Sequence, residues 1–89
     1  MLTPIYTKQF ERDIKRMLKR GKDLERFKTV AKLLLKESPL PFRYRDHKLI
    51  GPYIGRRDCH IQPDWVIIYK REISAIVFER TGTHSDLFE

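Results

Sequence analysis

Histidine occurs three times in this 89-residue chain, as His47, His60 and His84, and all three lie in its second half. Asp58, Asp64 and Arg80 stand close to them in sequence. These residue types suit cleavage of RNA without a metal. A base must take the 2′-hydroxyl proton, a cation must carry the extra charge of the phosphorane, and an acid must protonate the departing 5′-oxygen. Histidine serves as base or acid near neutral pH because both its forms are populated there. Arginine suits the middle task, being permanently charged and shaped to hold phosphate oxygens with two donors. A carboxylate such as Asp58 or Asp64 can fix a histidine tautomer or share the proton transfer.

Other readings of the same residues compete. His84 on its own reads equally as a solvated surface histidine on a C-terminal tail. Histidine, aspartate and cysteine are also zinc ligands, but there is no CxxC, HxxxH or HExxH pair, and Cys59 and His60 are adjacent and so face opposite ways on a strand. The expectation is therefore no metal and no cofactor. A Ser/His/Asp hydrolase is disfavoured because no serine sits in a G-x-S-x-G turn. Cys59 reads as a small core residue. Phe88 is either a stacking platform for a base or an anchor for the C-terminus.

The elements that must position these residues follow from periodicity. Leu2 to Tyr6 is a short apolar segment whose Pro4 restricts it to an edge strand. Thr7 can cap a helix on which Phe10, Ile14, Met17 and Leu18 form one stripe, with Lys8, Arg12, Lys15, Arg16 and Lys19 on the other face. Gly21 ends that helix. Asp23 caps a second one, with Leu24, Phe27, Val30, Ala31, Leu34 and Leu35 in period, and Ser38-Pro39-Leu40-Pro41 stops it. From Arg43 onward short segments are punctuated by Gly and Pro. Arg56 to Ile61 alternates as a strand, with Arg56, Asp58 and His60 on one face and Arg57, Cys59 and Ile61 on the other. Gln62-Pro63-Asp64 reads as a hairpin turn, and Trp65 to Tyr69 as the central strand. Ala75 to Phe78 continues as a strand that Thr81-Gly82-Thr83 ends, Gly82 supplying positive φ, which leaves His84 just past the strand end. Trp65, Tyr69 and Phe78 read as core. The predicted architecture is α+β, in the order β-α-α-β-β-β. Two helices pack on one face of a small, mostly antiparallel sheet, and the other face is concave and polar.

Composition bounds the function classes. The length fits a single domain over residues 1–89. No run of about 18 apolar residues is present and no leader pattern opens the chain, so the expectation is a soluble, cytoplasmic protein without membrane association. One cysteine allows no internal disulfide, in keeping with a reducing compartment. The formal net charge of +7 favours a polyanionic partner such as nucleic acid, or an acidic protein. Residues 1–37 hold eleven basic and five acidic side chains, a surplus of six, whereas residues 38–89 hold eight and seven.

The motif series Asp46-His47-Lys48-Leu49 with Gly51, Arg57 to Trp65 (R-D-C-H-I-Q-P-D-W), Tyr69, and Arg80 to Phe88 (R-T-G-T-H-S-D-L-F) resembles that of the YafQ-type toxins in the RelE/ParE superfamily. The match runs through the C-terminal half in register. The resemblance implies a microbial-RNase-like fold and a toxin of a type II toxin–antitoxin system, acting as a ribosome-dependent mRNA endonuclease. It implies as partners a cognate DinJ-type antitoxin, the ribosome with its mRNA, and operator DNA only through the antitoxin complex. By position, His47, His60, Asp64 and His84 match the family's acid/base residues, Arg80 its phosphate-stabilising arginine, and Asp58 and Phe88 supporting positions. His84 is taken as the acid. The basic residues Lys8, Arg12, Lys15, Arg16 and Lys19 are candidates for docking on ribosomal RNA. Two alternatives stay open: a non-catalytic basic module binding RNA or an acidic partner, and a ParE-like toxin that targets gyrase on the same fold.

Overall fold

The structure, a computed structural model, describes residues 1–88. The chain opens with strand β1 (Thr3–Tyr6), followed by helices α1 (Lys8–Lys19) and α2 (Leu24–Leu35). Four strands and a short helix complete it: β2 (His47–Lys48), β3 (Arg57–Gln62), β4 (Trp65–Arg71), β5 (Ala75–Gly82) and α3 (His84–Phe88). The sheet order is β1-β5-β4-β3-β2, with β1 parallel to β5 and every other pair antiparallel. This is the expected α+β arrangement, extended by a two-residue edge strand and a C-terminal helix. No helix among the described residues is long and apolar enough to cross a membrane.

Local chemistry sets the helix bounds. Thr7 accepts the amide of Phe10 at 2.9 Å and Asp23 accepts that of Glu25 at 2.9 Å, each satisfying a donor left free at a helix start. Gly21, at φ +90°, turns the chain out of α1, a conformation that costs glycine little. Pro4 sits on the edge strand β1, where its missing N–H breaks no ladder.

The main core lies between the helices and one sheet face, where Phe10, Met17, Phe27 and Val30 meet Cys59, Trp65, Ile67, Tyr69 and Phe78. Period two in β3 sends Cys59 and Ile61 into that core and therefore Asp58 and His60 to the opposite face. That opposite face is not simply polar, as the sequence suggested. Val66, Ile68 and Leu87 form a second buried cluster there, against which Leu49 and Tyr53 pack.

Two details at the end of β5 differ from expectation. Gly82 lies within the strand and has no positive φ; its role is close approach, since a Cβ there would stand 2.9 Å from both Cβ and Oδ2 of Asp86. His84 is not on a tail but is the first residue of α3. That helix is closed by a reciprocal cap. The Asp86 amide donates to Thr83 Oγ1 at 3.1 Å and the Thr83 amide donates to Asp86 Oδ2 at 2.9 Å.

Candidate active site

Three elements bring the imidazoles to one surface. β3 presents His60 beside Asp58, and β2 pairs with β3 so that His47 stands opposite Asp58. Helix α3 delivers His84. Ring centroids of His60 and His84 are 5.1 Å apart and those of His47 and His60 are 6.4 Å apart. The rings of Phe88 and His84 are 6.0 Å apart, and Tyr53 meets Phe88 edge-on at 5.9 Å. The three histidines and Phe88 line a cleft of about 650 Å³ together with Asp58, Leu49 and Arg45.

Each histidine is held differently. His47 Nδ1 donates to the Arg45 carbonyl at 2.7 Å, and Arg45 reaches that position by taking a left-handed backbone, φ 48°. His47 Nε2 then lies 2.9 Å from Asp58 Oδ1 in charge contact, without the alignment of a hydrogen bond, so this buried oxygen lacks a directed donor. Burial raises the Asp58 carboxyl above its ordinary range, against the opposing pull of the three imidazoles. His60 has a lowered pKa because burial penalises its charged form more than Asp58 favours it, with His84 and His47 adding to the penalty. Burial thus favours its neutral form.

Asp64, in the β3–β4 turn, holds His84 twice: Oδ1 accepts the His84 amide at 2.9 Å and His84 Nδ1 at 2.7 Å. Those bonds, the amide first, hold the Asp64 carboxyl below its usual range. His84 thus has Nδ1 committed and Nε2 free for chemistry. Such an imidazole can give up a proton at Nε2 while its other nitrogen stays oriented by an anion.

The remaining sequence candidates separate into groups. Arg80 is tied to Asp13 of α1 by Nε at 2.7 Å and is not among the residues lining the cleft. Asp13 is 1% exposed and also accepts the Thr81 amide, so this pair joins α1 to β5. Arg56, placed by periodicity with Asp58 and His60, precedes β3 and pairs instead with Glu79 at 2.7 Å. Of the open alternatives for the C-terminus, Leu87 is the buried anchor, while Phe88 is half exposed beside His84. Lys8, Arg12, Lys15 and Lys19 are exposed along α1, whereas Arg16 is drawn to Asp13 at 3.4 Å and Asp86 at 3.7 Å. Sequence reasoning missed Arg45, which lines the cleft, and Tyr53, which packs edge-on against Phe88. Neither belongs to a periodic pattern, and Arg45 is visible in the sequence only as a cation next to the first histidine motif. Among the described residues no group of three or more His, Cys, Asp or Glu side chains is disposed to hold a metal ion. Cys59 is fully buried in the main core, and its thiol is raised far above its ordinary pKa by burial.

Comparison with known proteins gives one consistent result. The model of the family described as "Bacterial toxin of type II toxin-antitoxin system, YafQ" matches residues 2–89. The mRNA interferase toxin YafQ of Escherichia coli K12 is 45% identical over 84 residues, covering 93% of this chain and 91% of that protein. The E. coli DinJ-YafQ complex contains a chain that superposes with a TM-score of 0.91 at 42% identity, with complete coverage of both chains. A metal-bound toxin from Helicobacter pylori superposes with a TM-score of 0.93 at 37% identity, covering 99% of this chain and 100% of that one.

Proposed function

Since the chain belongs to the YafQ family of toxins from type II toxin–antitoxin systems, we propose that it is an mRNA interferase whose cleft cuts ribosome-bound message by metal-independent acid–base chemistry. The observation that carries the mechanism is the convergence of His47, His60 and His84, with neighbouring rings 6.4 and 5.1 Å apart. The whole chain acts as one toxin domain, in the cytoplasm where ribosomes work. A DinJ-type antitoxin neutralises it, and operator DNA is reached only through that complex.

The roles follow from how each ring is held. His60, kept neutral by burial, is the base that takes the 2′-hydroxyl proton. The 2′-oxygen attacks phosphorus and the bond to the 5′-oxygen breaks. His84, oriented through Nδ1 by Asp64, gives its Nε2 proton to that oxygen. The products are a 2′,3′-cyclic phosphate and a 5′-hydroxyl. His47, with Nδ1 given to the Arg45 carbonyl and Nε2 against Asp58, is a positioning residue that ties the Arg45 turn to β3 beside His60. Arg80 ties β5 to α1 through its bond to Asp13, and Arg45 is the guanidinium at the cleft itself. Phe88 forms one wall. The exposed Lys8, Arg12, Lys15 and Lys19 of α1 dock on ribosomal RNA, with Arg16 contributing only its outer edge.

The test is cleavage of message on programmed ribosomes, with new 5′ ends mapped by primer extension. Wild type should generate 5′-hydroxyl ends and His84→Ala should be slower by about 10²–10⁴-fold. Cleavage by His84→Ala at the wild-type rate would remove His84 from the mechanism, and wild type producing no new ends would leave only a basic binding domain.

A further inference from the structure

The chain has ten arginines, and six of them, Arg16, Arg20, Arg56, Arg57, Arg71 and Arg80, are paired with carboxylates. Among the described residues Arg12, Arg26, Arg43 and Arg45 are paired with none. Three of these four line one groove of about 830 Å³ together with Phe42, and no carboxylate lines it. The groove is continuous with the histidine cleft, since Phe42, Arg45, His60 and His84 line both.

Phe42 is the second unusual feature. It opens a 3-10 turn, Phe42–Tyr44, and is 92% exposed, whereas the next residue but one, Tyr44, is buried in the core. The turn is therefore anchored by Tyr44 and holds Phe42 outward on a fixed backbone. Arg43 is ordered over the Tyr44 ring, its guanidinium carbon 4.7 Å from the centroid and Nη2 donating to the phenol oxygen at 3.1 Å. Arg45, next in the chain, has its carbonyl fixed by His47. One rigid turn thus carries a bare aromatic face, two unpaired guanidiniums and the hydrogen bond that orients a site histidine.

We infer that the groove formed by the Phe42–Arg45 turn and Arg26 is a subsite for the RNA strand beside the scissile phosphate, with Phe42 stacking on a neighbouring base and Arg26, Arg43 and Arg45 holding backbone phosphates. A single strand offers aromatic planes and phosphates in alternation, and this surface offers their complements. Stacking on a fixed ring next to the cleft would set the register of the strand against His60 and His84 and favour particular bases at the flanking position. This inference rests on the RNA-cleaving reading of the histidine cleft.

Two measurements separate it from that reading. The first is binding of a short fluorescein-labelled single-stranded RNA to the His84→Gln chain, followed by anisotropy over a salt series. Adding Phe42→Ala should weaken binding roughly 5- to 150-fold. Adding Arg26→Gln with Arg43→Gln should lower the salt slope by about 0.7 for each phosphate no longer neutralised. The second is cleavage on programmed ribosomes by chains that keep His84. Phe42→Ala should slow cleavage of natural message, and the difference from wild type should vanish when one flanking nucleotide is made abasic. Retained folding of each variant is checked by circular dichroism. Binding that depends on Phe42 in a chain whose parent does not cleave would sustain the subsite and defeat the nuclease reading. Wild-type cleavage with Phe42→Ala and the arginine pair unchanged in both assays would overturn the subsite and leave the nuclease standing. Loss of antitoxin affinity with RNA binding intact would equally overturn it, assigning the groove to an acidic peptide instead.

Discussion

Gly82→Ala probes how the site is held without touching a reacting group. Gly82 has ordinary negative-φ strand geometry, so alanine meets no backbone penalty and on chain entropy alone would stabilise by about 0.4–1 kcal/mol. The added Cβ, however, would stand 2.9 Å from Cβ and Oδ2 of Asp86 and 3.3 Å from its Cγ. Carbon atoms pack comfortably at about 3.5–4.0 Å, so Asp86 must retreat by roughly 0.6–1 Å. Asp86 has little room to do so. Its carboxylate accepts the Thr83 amide at 2.9 Å and Arg20 at 2.6 Å, and its own amide is bonded to Thr83 Oγ1. Forcing a filled site of this kind costs about 1–3 kcal/mol, which outweighs the entropic gain. At about 4–8 °C per kcal/mol for a domain this size, Tm should fall by several degrees or more. Because α3 carries His84 and Phe88, a displacement near 1 Å should also slow cleavage by on the order of 10²-fold. Thermal melts by circular dichroism and single-turnover cleavage on programmed ribosomes read the two effects. A variant as stable as wild type and as fast would refute the idea that the close approach of Gly82 to Asp86 sets the position of His84.

Two further outcomes follow from the polar groups around the site. His60 should titrate below its ordinary value of about 6.5, as read by imidazole NMR shifts, because burial disfavours its charged form. Its folded pKa is depressed, so the unfolded chain binds the proton first, and stability falls as pH drops from about 6.5 toward the folded value. His60→Gln should flatten that part of the stability profile, and a histidine titrating at or above 6.5 would contradict the assignment of His60 as the neutral base. Asp13→Ala should destabilise by about 3–5 kcal/mol in urea unfolding, toward the lower end because Arg80 is partly exposed. It strands the Arg80 guanidinium and the Thr81 amide, and a loss under about 1 kcal/mol would show that water replaces the carboxylate.

Much of the framework can be read from local pattern. Thr7 and Asp23 cap as their types suggest, Pro4 lies on an edge, and the apolar run beginning at Trp65 is the middle strand. Alternation in β3 places Asp58 and His60 opposite Cys59, and so locates two site residues from sequence alone. The third needs a signal that is present but outweighed. Thr83-His84-Ser85-Asp86 has the spacing of a capping box, yet the glycine before it points just as readily to an open turn, and that hides α3. What pattern cannot carry is the choice among partners distant in sequence. Asp13 takes Arg80 from across 67 positions, and Glu79 takes Arg56 from across 23, because packing of α1 on β5 and the pairing of strands set which charges meet. The +7 surplus is legible, but which cations remain free for a polyanion depends on those pairings.

The pairing of imidazoles with carboxylates at the cleft shows why that distinction matters. A carbonyl can only accept, so His47 Nδ1 carries a proton toward Arg45, and Nε2 faces the Asp58 carboxyl at 2.9 Å. Asp58 thus faces His47 as Asp64 faces His84. Burial favours the neutral form of His60. His84, when it carries the proton it will donate, is balanced by ionised Asp64. Two of the three imidazoles therefore face a carboxylate of their own, which offsets the attraction that positive charge on them would hold for a phosphodiester. Attraction must come from outside the catalytic set. The unpaired guanidiniums of Arg26, Arg43 and Arg45 border the cleft on the side where His60 and His84 open to solvent, and α1 adds exposed lysines farther off. On the proposed roles, binding and proton transfer fall to separate groups, and raising salt should weaken capture of the strand while leaving the rate of the bound complex nearly constant.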